Sequence, residues 1–269
     1  MPLAISIDNF IDTERENTEL ALCGKLAIIR SILDAEKRSS LYFNPNKVRI
    51  KITFSELENT WYLPFFRSLT ENCNKDELIE RLKNITLIIF NYDRCIEHFL
   101  LHAVMSYYRL NKVEAAEALE QIDIIHPYGV VGSLEWQTHE PSTAVEFGGD
   151  IEPQRLVEYA QRIRTFTEGS QSHQMERITK KMCLTERLIF LGFAFHPLNM
   201  QLIGGGQPEN YQNPNTVDCY ATAYETSESD QKSIRNSITH LYERPVEINT
   251  VNTTCAQLFK DYSRSLGYS

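Results

Sequence analysis

The chain has 269 residues, 42% of them hydrophobic and 23% charged, with a formal net charge of -9. These totals describe an ordinary globular protein with enough chain for one large domain or two small ones, and they argue against broad nucleic-acid binding, which relies on basic patches. No apolar run reaches the ~18 residues of a membrane span, and the start, MPLAISIDNFIDTERE, carries acids early and no basic leader region, so the chain is expected to be cytoplasmic, with no membrane partner.

Residues 1–80 read as mostly helical. In LALCGKLAIIRSILDAEKRSS, Leu20, Cys23, Leu26, Ala27 and Ile28 or Ile29 recur at helical spacing. FSELENTWYLPFFRSLT follows, with Ser55 and Glu58 spaced as a capping box and Trp61, Tyr62, Phe65 and Phe66 as core aromatics. DELIERLKN is a short helix. ITLIIF (85–90) is a continuous apolar run, as in a strand buried on both faces. CIEHFLLHAVMSYY then places Ile96, Phe99, Leu100, Ala103 and Tyr107 on one helical stripe. NKVEAAEALEQ is a helix and IDIIHPYG (122–129) a short strand that ends at His126. PQRLVEYAQ reads as helix, RIRTF as strand, SHQMERITKKMCLTE as helix and RLIFLGFAF (187–195) as strand. VDCYATAYETS is a last strand and ESDQKSIRNSITHLYE a closing helix.

Strand and helix alternate, which is the pattern of an α/β fold with parallel strands and helical crossovers. The expectation is one domain over 1–269: a helical segment over 1–80, a doubly wound, mainly parallel α/β core over 81–203, and a loop, strand and closing helix over 204–269. GGGQPENYQNPN (204–215) reads as a surface connection, because a phosphate loop needs a strand before it and a helix straight after. The six cysteines are scattered, with no CxxC pair, and are expected to be reduced and mostly buried; no metal site is expected. His98 and His102 stand one helical turn apart, but no acidic third ligand falls on that face by spacing.

In open parallel sheets, ligands bind beyond the carboxyl ends of the strands. Four such ends carry polar or glycine-containing clusters: Asn91-Tyr92-Asp93, His126-Pro127-Tyr128-Gly129, Thr165 to Gly169, and Gly192 to His196 with Asn199. Each cluster taken singly has a plain alternative, since Asn91 or Asp93 would serve as a helix N-cap.

FNYDRCIEHFLLHA, then IIHPYG, then LIFLGFAFHPLNM, in that order, resemble the sirtuin-like NAD-binding fold. The likeness is to the bacterial sirtuin-like proteins of phage defence rather than to the protein deacylases, and it covers roughly residues 85–203. It implies a Rossmann-like fold and NAD as substrate. Asn91 would hold a water or the nicotinamide-side ribose, and Asp93 would line the nicotinamide pocket or order its loop. His126 would be the general base on a ribose hydroxyl or water. Gly192, with the Phe193–Phe195 turn, would approach the adenine-side ribose or the phosphates. By strand-end position rather than by a family motif, Gly129, Thr165 and Asn199 are expected to join the cofactor-facing set, with Thr167 beside Thr165.

The residue types suit the chemistry. Cleaving the nicotinamide–ribose bond passes through an oxocarbenium-like state. Nicotinamide leaves as a neutral molecule, so the demand is for a positioned nucleophile and a base of near-neutral pKa, which histidine supplies. The zinc-binding cysteine quartet common in deacylating sirtuins is missing, which favours water as the acceptor. The family opens with a strand and a Gly-Ala-Gly-x-Ser loop that holds the pyrophosphate. MPLAISIDNFID looks like the segment just after that loop, so the loop is expected to be absent from this chain and a strand edge to be uncovered.

Two further readings stay beside NAD hydrolysis. One is a non-catalytic module that holds NAD or ADP-ribose and signals by oligomerising or through a partner defence protein. The other is a structural assembly subunit that pairs through a sheet edge.

Overall fold

A computed structural model of the chain describes residues 7–14, 16–44, 51–138, 140–165, 168, 172–204 and 215–267. They fall into two compact units, one from Met1–Glu58 and Asn72–Gly169, the other from Asn59–Glu71 and Ser170–Ser269. Both are built of helices and parallel strands, so the chain is α/β. Among the described residues no helix is long and apolar enough to cross a membrane.

The first unit contains α1 (Ile7–Thr13), α2 (Thr18–Arg38), α4 (Lys75–Lys83), β1 (Thr86–Ile88), α5 (Cys95–Tyr108), α6 (Lys112–Leu119), β2 (Asp123–Ile125) and α7 (Pro153–Arg162), numbered in chain order. Helix α2 starts where the Asn17 side chain accepts from the Leu20 amide at 3.1 Å. Its buried face is Gly24, Ile28, Ile29, Leu33 and Glu36. That face lies beside the expected stripe rather than on it: Cys23 and Ala27 are exposed. Gly24 lies on this face against α1: a Cβ there would sit 2.6 Å from the outer atoms of the Ile11 side chain, which would have to shift. Ile28, Ile29 and Leu33 share a core with Tyr159, Ala160 and Ile163 at the end of α7.

β1 and β2 pair in parallel, Thr86 with Asp123 through Ile88 with Ile125. Both strands are short, and β1 is only half-buried, not covered on both faces as its apolar run suggests. The crossover between them is α5 and α6. Helix α5 is buried nearly all round from Ile96 to Leu101, whereas Tyr107 is 60% exposed and leaves the expected stripe. The RIRTF segment is not a strand within its described residues: α7 runs to Arg162, and Ile163–Thr165 follow as irregular chain.

The second unit contains α3 (Tyr62–Thr70), α8 (Ser172–Leu184), β3 (Arg187–Phe190), α9 (Pro197–Ile203), β4 (Val217–Thr222), α10 (Glu228–Thr239), β5 (Val246–Val251), α11 (Cys255–Asp261) and α12 (Ser263–Leu266). Its sheet has the order β3-β4-β5, all parallel. Strand β3 stops at Phe190, five residues short of the expected 195, because Gly192 and Phe195 take positive φ values of 60° and 52° and turn the chain out of the ladder. Strand β5 and the helices after it were not expected; VEINTV is half-buried and shows no apolar run. Tyr220, Leu258, Phe259 and Leu266 form a core against which Trp61 and Phe65 of the α3 region pack, as expected of those aromatics. The Ser55–Glu58 capping box does not form: Phe54–Leu57 is a 3-10 turn whose flanking Thr53 makes no side-chain cap.

Cys73, Cys183 and Cys219 are buried, Cys95 and Cys255 half-buried and Cys23 exposed; all six are free thiols. The opening MPLAIS segment, Phe166, Thr167, Gly169 and residues 205–214 of the glycine-rich stretch lie outside the described residues.

Candidate functional site

Because β1 and β2 are parallel, their carboxyl ends lie on one edge of their sheet. Asn91, Tyr92 and Asp93 follow β1, and His126 to Gly129 follow β2. The first unit therefore brings together five of the expected residues: Asn91, Asp93, His126, Gly129 and Thr165.

His126 is the centre of this edge. Its ring is nearly buried, with 11% of the side chain exposed. Nε2 lies 2.7 Å from Glu97 Oε1 on α5, and Nδ1 lies 3.3 Å from the Asn91 carbonyl oxygen. Burial alone would lower the pKa of this histidine. The hydrogen bond and charge of Glu97, with the Asn91 carbonyl and the Asp93 charge behind them, outweigh burial and hold it above the ordinary value. Glu97 is 1% exposed, and its Oε2 has no hydrogen-bond partner among the described residues.

The other residues hold the edge in place. The amide of Gly129 donates to the His126 carbonyl at 3.1 Å, closing a tight turn through Pro127 and Tyr128. Gly129 has φ 85°, and a Cβ there would lie 2.5 Å from the Arg162 carbonyl oxygen, so no other residue fits. Asp93 Oδ1 accepts from the Cys95 amide at 3.1 Å, a local turn bond just before α5, whose N-cap position is Arg94 rather than Asn91 or Asp93. The Asn91 side-chain amide is exposed and makes no hydrogen bond among the described residues. Tyr92 Oη donates to the Arg164 carbonyl at 2.8 Å, and the Val131 amide to the Tyr92 carbonyl at 3.2 Å, so three loops are tied together. Thr165 is 1% exposed, with its amide and hydroxyl both donating to Glu168 Oε2. Burial would raise the Glu168 pKa, but Lys25 Nζ at 2.7 Å and the Thr165 bonds bring it below the ordinary value.

Arg94 fixes the loop after β1 to the rest of the unit. Its side chain is fully buried and bonded to Glu36 of α2, with Nη2 at 2.6 Å and Nε at 3.1 Å from the two carboxylate oxygens. The remaining donors reach the Val145, Glu146 and Gly132 carbonyls, and the Gly148 amide completes the Glu36 carboxylate. Neither Arg94, Glu36 nor Glu97 stood out by spacing. For Arg94 and Glu97 the available signal was charge inside an apolar context, in LIIFNYDRCIEHF.

His98 and His102, on the same helix as Glu97, do something different. His98 stacks on Phe147 with ring centroids 4.0 Å apart, and His102 meets Phe43 edge-on at 5.0 Å. Burial, then the neighbouring charge of His102, lowers the His98 pKa to about 3; burial, then Lys112, lowers that of His102 to about 4. Both are neutral core aromatics at ordinary pH. Among the described residues there is no cluster of three ligating side chains.

Gly192, Phe193 and Asn199 belong to the second unit. The Gly192 amide donates to Thr222 Oγ1 at 2.9 Å, at the carboxyl end of β4. Its positive φ explains the glycine, since a Cβ would meet only Cys255 Sγ at 3.7 Å. Phe193 packs against Phe190 and Phe195. Asn199 is half-buried in the first turn of α9. At the same edge the Asn252 side chain accepts from the Glu225 amide at 2.8 Å, a contact that sequence spacing did not indicate.

No protein-family model matches the chain, no curated protein matches it, and no solved structure matches its fold.

Proposed function

We propose that this chain hydrolyses NAD to nicotinamide and ADP-ribose, with a doubly wound, sirtuin-like arrangement and a role in bacterial antiviral defence inside the cytoplasm. The observation that carries the reading is the strand-end geometry: a buried, carboxylate-paired His126 and an exposed Asn91 amide on one carboxyl edge of a parallel sheet. The family resemblance of the surrounding residues supplies the ligand. In the reaction the ribose C1′–nitrogen bond breaks and its electron pair stays on nicotinamide. A water oxygen bonds to C1′, and its proton passes to His126. Asn91 orients that water or the ribose hydroxyl. Gly129 and Thr165 shape the wall beside it, and Asp93 orders the loop. The test is nicotinamide release from NAD by the purified chain: turnover supports the proposal, and its absence at millimolar NAD contradicts it.

A second reading, a module that holds NAD or ADP-ribose without cleaving it, has one specific observation in its favour. Both ring nitrogens of His126 face protein acceptors. It predicts thermal stabilisation by ADP-ribose with no nicotinamide formed.

A further inference from the structure

His126 lies between two groups of unequal strength. The Asn91 carbonyl is neutral and 3.3 Å away, near the limit of a hydrogen bond; the Glu97 carboxylate is 2.7 Å away, the length of a charge-assisted bond. A carbonyl only accepts, and so does an ionised carboxylate. With both bonds made, the ring carries both protons. When it gives one up, the proton held by the nearer, charged acceptor stays. The proton facing the carbonyl leaves.

We propose that Glu97 is a positioning residue that fixes the Nε2–H tautomer of His126, so that Nδ1, on the Asn91 side, is the nitrogen that exchanges a proton with the ligand. This rests on the NAD-cleaving reading above and assigns within it which atom acts and what holds it. Two carboxylates in the same unit show the contrast. Glu36 is equally buried, but its oxygens bond to Arg94 and to the Gly148 amide, and both are satisfied. Glu97 has one oxygen on His126 and the other without a partner among the described residues. Leaving a buried acceptor unsatisfied carries a desolvation cost, and a purely structural pair gains nothing from that arrangement. A carboxylate whose task is to hold an imidazole by one nitrogen and stabilise its cation needs only one bond to it. The charged groups that face His126 are Glu97 from α5 and Asp93 from the loop before it.

The experiment is ¹⁵N NMR of the histidine ring nitrogens in the full chain and in Glu97→Gln, with the His126 signals assigned by their loss in His126→Gln. Nicotinamide release is followed against pH on the same samples. In the unsubstituted chain, neutral His126 is expected to carry its proton on Nε2. In Glu97→Gln the His126 midpoint is expected to fall by about one pH unit or more, and the acid limb of the rate to move down with it, with kcat reduced more than KM. A neutral amide can donate to Nε2 and leave the proton on Nδ1, which removes the base. A wild-type Nδ1–H tautomer, or a Glu97→Gln midpoint equal to wild type, overturns the proposal, and so does a loss of thermal stability with no change in midpoint. If Glu97→Gln does not fold, the wild-type tautomer alone decides. A wild-type chain that releases no nicotinamide defeats the NAD-cleaving reading, while the tautomer and midpoint still decide whether Glu97 sets the protonation of His126.

Discussion

At the residue scale the strand-end loop after β1 is held by a charge pair that water does not reach. Arg94 and Glu36 are both buried, and every donor and acceptor between them is used. Such a pair adds little net stability over an apolar pair, but removing one member leaves the other charged and unpaired. Glu36→Ala is therefore expected to cost about 3–5 kcal/mol, read as a lower midpoint in denaturant unfolding; an unchanged midpoint would show that Arg94 finds water instead. His126 and Asn91 were legible in the sequence, because an apolar run that ends in short polar residues marks a strand end. Arg94 and Glu97 were not. Spacing within a helix identifies which residues share a face, but the partner that makes a buried charge tolerable lies far along the chain: 58 residues separate Arg94 from Glu36 and 29 separate His126 from Glu97.

At the scale of elements, helix ends and the interior of α5 make separate predictions. Asn111 accepts from the Val113 and Glu114 amides, and Glu114 returns a bond to the Asn111 amide, so α6 begins with a complete capping box. Asn111→Ala is expected to cost about 1 kcal/mol, measured by thermal or denaturant unfolding. Helix α5 carries part of the acid sensitivity of the first unit, beside Glu168, whose pKa is also lowered. His98 and His102 have folded pKa values of about 3 and about 4, below the ordinary 6.5. The unfolded chain therefore binds more protons than the folded one between those limits, and stability falls as the pH drops below about 6.5, by up to about 1.4 kcal/mol per pH unit for each histidine. His126 works in the opposite sense. Its folded pKa is raised, so its contribution is complete below the unfolded value and is lost as the pH rises through the folded one. His102→Phe, which keeps a ring against Phe43, is expected to flatten the acid limb of unfolding; a limb as steep as wild type would contradict the assignment. The helices of residues 76–119 were legible from periodicity. Strand β5 was not, because VEINTV has neither an apolar run nor a clean alternation, and becomes a strand only by pairing with β4.

At the scale of the whole molecule, alternation of strand and helix predicted parallel sheets, and the paired strands β1-β2 and β3-β4-β5 are parallel throughout. How many strands join one sheet was not legible, since it depends on pairings between distant segments. Under the proposed reading, the net charge of -9 would leave NAD, itself an anion, to be held by local amides and side chains rather than by a general field. The reaction proposed for the edge beyond β1 and β2 is cleavage of the nicotinamide–ribose bond. The most direct measurement is the rate of nicotinamide release from NAD by the wild-type chain, Asn91→Ala and His126→Ala, each shown to be folded by circular dichroism. Wild type is expected to release nicotinamide, with a fall of about 10²–10⁴-fold in His126→Ala and a comparable loss in Asn91→Ala. Release at the wild-type rate by either folded variant would contradict that proposal.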